Sequence, residues 1–157
     1  MKRDGRISAL NLILNLIIGL SGLICIAAII QLPSLAKENG LNIMAQLILG
    51  LSFISCFFLA TLALKKILKS IRNNDPFNLD NVNHFKTIGY CFMTIALIYT
   101  IISYPLPNSS GLDILATSYG SIKPTSFLYL ILSIMSFILG DVFRMAREIK
   151  EENDLTV

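Results

Sequence analysis

From Ile7 to Leu32 the chain runs without a single Lys, Arg, Asp, Glu or His, and three later stretches share that property: Asn42–Leu64, Thr87–Tyr104 and Thr125–Gly140. A helix rises about 1.5 Å per residue, so about 20 apolar residues suffice to cross a hydrocarbon core of about 30 Å. Soluble domains carry about 25% charged residues mixed along their length. Here only 15% of the 157 residues are charged against 54% hydrophobic, and the charges gather at the two ends and in short intervals. The pattern predicts an all-α integral membrane protein. Four transmembrane helices would form one domain over 1–157, an up-down bundle of two hairpins.

The expected helices cover about 7–32, 42–72, 79–104 and 125–152. Pro33 closes the first, and Lys37-Glu38-Asn39-Gly40 supplies a polar turn in an external loop over 33–41. The Ile7–Leu32 run is too long for the apolar region of a signal peptide, usually about 7–15 residues, so an uncleaved helix is expected. The second helix continues past the membrane, with Leu64, Ile67, Leu68 and Ile71 keeping an apolar stripe beside Lys65, Lys66, Lys69 and Arg72. Those lysines are placed to meet anionic lipid. Asn73 and Asn74 suit a helix end, and Pro76 disfavours helical backbone at Asp75. Asn78 reads as an N-cap, with Asp80 in the first turn behind it. This short loop, about 73–78, leads into the third helix. A longer external loop, about 105–124, precedes the fourth. That last helix should run on into water as FRMAREIKEEND, with Arg144–Glu148 and Arg147–Glu151 pairs. Arg144 is also placed to pair with Asp141, one turn earlier.

Charge orients the bundle. Met1–Arg6, Lys65–Lys86 and Arg144–Val157 would lie on one side and hold eleven of the 13 Lys and Arg residues, leaving Lys37 and Lys123 opposite. The positive-inside rule then puts both termini in the cytoplasm of a multi-pass protein of the cell's inner or plasma membrane. Tyr99, Tyr104, Tyr119 and Tyr129 would form an outer aromatic belt. Basic residues that flank apolar runs are membrane anchors, so direct nucleic-acid binding is not expected.

Small and polar residues mark the expected packing faces. On the first helix these are Asn11, Asn15, Gly19 and Gly22; on the fourth they are Ser133, Ser136 and Gly140. Cys25, Cys56 and Cys91 each fall in a different apolar run and read as packing thiols. The two hairpins also show a faint likeness, Ile29–Pro33 with Gly40–Ile43 against Ile101–Pro105 with Gly111–Ile114, which admits a parallel duplication.

The spans hold no ionisable residue at depth, whereas ion-coupled transporters and intramembrane enzymes usually need one. His84 is the single histidine and has no neighbouring ligand residue, and no phosphate-binding loop is present. No enzyme, metal or cofactor is expected.

The stretch DPFNLDNVNHFKTIGY resembles the signature of the bacterial domain-of-unknown-function family 2975, with Pro76, Phe77, Asn81, Lys86 and Gly89 at the matching positions. The closing DVFRMAREIKEENDLTV is similar too, and Pro33 fits. The resemblance implies a small four-helix membrane protein without established activity. Its members are often encoded beside helix-turn-helix regulators, which implies a regulatory partnership.

The expected function is therefore a non-enzymatic membrane module that presents its cytoplasmic face to a cytosolic regulator or a membrane protein. Its candidate residues are Asp75, Pro76, Phe77, Asn78, Asn81, Arg144, Glu152 and Thr156. A homo-oligomer stays open. So do two other readings: a small oligomeric transporter or channel along Asn11 and Asn15, and immunity against a membrane-active peptide through the external loop.

Overall fold

The computed structural model describes residues 2–103, 115–117 and 120–155, with side chains for 5–27, 29–30, 47–101, 123–153 and 155. The elements are α1 (Lys2–Arg72), α2 (Leu79–Ser103), β1 (Leu115–Thr117), β2 (Gly120–Ile122) and α3 (Pro124–Leu155). The strands pair antiparallel, Leu115 opposite Ile122 and Thr117 opposite Gly120. They are the only extended structure among the described residues and lie in the long loop, so the class is all-α.

Helical backbone runs unbroken from Lys2 to Arg72, where the sequence predicts two helices and a loop over 33–41. Yet Ile7, Ser8 and Asn11 border the same cavity as Leu62 to Arg72. A straight helix would hold Asn11 and Leu62 about 77 Å apart, at about 1.5 Å per residue. The element therefore folds back on itself. Two arms of equal rise would meet near residues 37–40, although the loop expected over 33–41 is helical backbone here. With its two arms counted separately, the described residues form four helical segments.

Three stretches are long and apolar enough to cross a membrane: Gly5–Ala27, Leu47–Arg72 and Pro124–Asn153. The sequence predicts four. α2 is not among them over its described residues, which begin with the polar turns Leu79–Lys86 and have side chains described only as far as Ile101. It is instead the most enclosed helix, with Ile95 fully buried and Val82, Ile88, Cys91, Ala96 and Ile98 nearly so.

The second arm of α1 packs on one side of α2, where Ala60, Ala63 and Ile67 meet Ile88 and Cys91, with Cys56, Phe85 and Phe92 around them. α3 runs antiparallel along the other side. The Ser126 hydroxyl bonds the Thr100 hydroxyl at 3.0 Å near one end, the Thr100 proton being directed to the Ala96 carbonyl. At mid-length the buried Ser133 hydroxyl donates to the Gly89 carbonyl at 2.8 Å. A Cβ on Gly89 would lie 2.8 Å from the Phe137 ring, so only glycine admits this approach. At Gly140 the Phe85 Cβ stands 3.4 Å from where a Cβ would be. Ser133, Ser136 and Gly140 are all buried, the face expected of them. Tyr129 joins the helices through Phe53 and Phe57 of α1 and Phe92 and Tyr99 of α2, with ring centroids 5.9–6.4 Å apart. Tyr104 and Tyr119 lie outside the described residues, as does part of the expected repeat.

The first arm of α1 is the most open element. No residue of Gly5–Ala27 is buried. Its half-buried positions, Ile7, Asn11, Leu14, Ile18, Ser21, Gly22 and Cys25, recur every three or four residues as a single seam. The expected face straddles that seam. Asn11 and Gly22 lie on it, whereas Asn15 and Gly19 are exposed. Neither glycine has another part of the chain within 4 Å of its Cβ position, so the close backbone approach expected there is absent among the described residues.

Candidate functional site: the basic end of the bundle

Three charged intervals meet at one end of the molecule: the start of α1, the α1–α2 turn and the extension of α3. Local chemistry builds the turn. Asn74 takes φ 60°, the left-handed position that ends a helix. Its N–H bonds the Ile71 carbonyl at 3.2 Å, and the Asp75 N–H bonds the Ser70 carbonyl at 3.2 Å. That pair is a Schellman closure. Pro76 prevents renewed helix, and Asn78 caps α2 by accepting the Asn81 N–H on Oδ1 at 2.9 Å.

Asn81 then clasps the two helices together. It is 1% exposed, and its amide donates to the Pro76 carbonyl at 2.7 Å and the Ser70 hydroxyl at 2.9 Å. A carbonyl can only accept, so the nitrogen must face Pro76. Asn81 Oδ1 is buried without a partner among the described residues. Ser70 receives a second donor, Asn78 Nδ2 at 3.1 Å, and donates its own proton to the Asp75 carbonyl. Asn78 Nδ2 also reaches Asp75 Oδ2 at 3.4 Å. Ser70 is the hub, a position that sequence reading passed over.

α3 is tied to this turn at two points. The Phe143 ring packs against Phe77 and Phe85, with centroids 5.6 and 4.9 Å apart. Lys150 Nζ stands 3.9 Å from Asp75 Oδ1. Phe77 keeps 39% of its surface exposed, as one edge of this aromatic cluster. Beyond it Arg144–Glu148 at 3.1 Å and Arg147–Glu151 at 2.6 Å form the expected ladder. Arg144 thus pairs forward with Glu148 rather than back with Asp141, because the i, i+4 spacing aligns the longer side chains. Glu152 is exposed on the same helix, and Thr156 lies outside the described residues.

Two cavities open here. The larger, about 670 Å³, separates the two arms of α1 and carries Lys65, Lys66, Lys69 and Arg72 on one wall. The smaller, about 200 Å³, is polar and borders Ser70, Asn78, Asn81 and His84; Lys66 and Lys69 line both. Partial burial, then the Lys66 cation, holds His84 below the ordinary histidine pKa of 6.5, and Asp80 pulls weakly the other way. Among the described residues no group of three or more His, Cys, Asp or Glu could hold a metal.

No curated protein and no solved structure matches the chain. A family model does match, over residues 7–157, which includes the Pro76–Gly89 stretch and the α3 extension, and the chain therefore belongs to the protein family of unknown function DUF2975.

Proposed function

We propose that this chain is a non-enzymatic, multi-pass membrane protein whose basic end faces the cytoplasm and docks a protein partner, a cytosolic regulator or another membrane protein. The bilayer reading draws on the large side chains exposed along the apolar stretches, such as Leu12, Leu16 and Leu23 at 62–66%. Water would not tolerate that surface; lipid would. The orientation draws on the convergence of three Lys/Arg-bearing intervals at one end.

One observation carries the partner: the α3 extension is an exposed, charged helix tied to the turn through Phe77–Phe143 and Asp75–Lys150. Asn78 and Asn81 are consumed in holding the turn, so recognition would fall to Phe77's open edge and to Arg144, Arg147 and Glu152. A photo-crosslinker placed at Glu152 in membranes tests the idea. A protein adduct that Arg144→Glu with Arg147→Glu abolishes supports it, whereas recovery of lipid or this chain alone overturns it.

A further inference from the structure

Among the described residues that line it, the larger cavity has four cations and no carboxylate. Lys65, Lys66, Lys69 and Arg72 follow one another at steps of one, three and three residues on a single helix, where like charges repel. Among the described residues no carboxylate lies within ion-pairing distance of any of them, although ladders of such pairs form on α3. On the facing arm Ser8 and Asn11 add a hydroxyl and an amide with no partner among the described residues. Ile7, Leu62 and Leu68 make the remaining wall apolar. The site thus offers several positive donors, two neutral ones and a greasy side.

Its depth is equally informative. Leu47–Arg72 is long and apolar enough to cross a bilayer, and the cations occupy its final two turns, where hydrocarbon gives way to headgroups. The exposed Leu10, Leu64 and Ile71 lead away from the cavity along the lipid-facing surface.

We propose that the cavity between the two arms of α1 is a binding site for the phosphate headgroup of an anionic phospholipid. The phosphate sits among Lys65, Lys66, Lys69 and Arg72, Ser8 and Asn11 bond its oxygens or glycerol, and the acyl chains leave over the apolar wall. A bound phosphate also removes the repulsion along the last turns of α1 and bridges its two arms, so the lipid fastens the otherwise open first arm to the bundle. The site rests on the membrane reading but not on the protein partner.

The test is native mass spectrometry of the full chain released from nanodiscs of phosphatidylcholine alone or mixed equally with phosphatidylglycerol. The chain is expected to retain phosphatidylglycerol selectively. Retention should fall about fivefold for each of Lys65→Gln, Lys69→Gln and Arg72→Gln, and about a hundredfold when the three are combined. Asn11→Leu, which fills the cavity without touching charge, should lower it as well. Lys86→Gln, a cation of the same end that does not line the cavity, should leave it unchanged, and circular dichroism verifies that each variant is folded. Equal retention of both lipids, or an equal loss with Lys86→Gln, overturns the site while leaving the membrane reading intact. Displacement of the lipid by millimolar inorganic phosphate overturns the lipid assignment. Failure of the chain to enter nanodiscs overturns both readings.

Discussion

Asn81 shows how one side chain can hold a junction that sequence reading assigns to interaction. Its amide donates to the Pro76 carbonyl and the Ser70 hydroxyl, so Asn81→Ala removes both bonds across the turn. A loss of about 2–3 kcal/mol is expected, the sum of two buried hydrogen bonds and a small cavity, readable as a lowered midpoint in detergent unfolding. Ser70→Ala should couple to it non-additively, because one network serves both. His84 offers a second residue-scale check by titration. Its folded pKa lies below 6.5, so the unfolded chain binds a proton first. Stability is then complete above 6.5 and declines as pH falls from there toward the folded pKa. An NMR titration should place His84 below 6.5, Lys66→Gln should raise it, and Asp80→Asn should lower it further. A value above 6.5 in the wild type would refute the assigned environment.

Among the elements, α2 and α3 depend on each other most. Their contact is zipped by Thr100–Ser126 and Ser133–Gly89 and closed by Phe143 on Phe77 and Phe85. Gly89 is its narrowest point. Gly89→Leu should force the helices apart, strip the Ser133 bond and cost about 2–3 kcal/mol, the usual scale of overpacking. Shrinking the obstacle with Phe137→Ala should recover part of that loss, measured by the same unfolding assay. If Gly89→Leu is as stable as the wild type, the close packing is not what holds the pair. Much of this interface was legible beforehand, since Ser133, Ser136 and Gly140 recur at helical spacing on an otherwise bulky helix. Gly89 carried no such signal, because a lone glycine says nothing about which partner approaches it.

The molecule as a whole turns on the reversal of α1. Cysteines introduced as Asn11→Cys with Leu62→Cys, in a chain with Cys25, Cys56 and Cys91 replaced, should crosslink readily with a reagent spanning about 10 Å. A straight helix would hold them about 77 Å apart, and no crosslink would form. The proposed topology draws on the same fold, which returns the start of α1 to the end where the Lys65–Lys86 and Arg144–Lys150 intervals lie. A reporter fused after Lys37 should accordingly be active outside the cytoplasm. Activity confined to the cytoplasm would invert or dissolve the orientation.

Rules that act over a few residues were readable from the chain alone. Apolar runs announced membrane-length helices, Pro76 and the asparagines announced the turn and its caps, and the Arg–Glu spacing announced the α3 ladder. Each works within one contiguous stretch of chain, so composition and spacing suffice. What tertiary structure decided joins residues far apart in the chain. Ser70 meets Asn81 across the turn, Phe77 meets Phe143, and Ser8 and Asn11 face the Lys65–Arg72 wall across the folded arms of α1. The small residues of the first arm illustrate the limit. Asn11, Asn15, Gly19 and Gly22 were read as one face, yet the packed seam takes Asn11 and Gly22 and leaves the other two exposed. Helical spacing names the faces a helix possesses; which face is covered depends on where a neighbour stands, and only the packed bundle sets that.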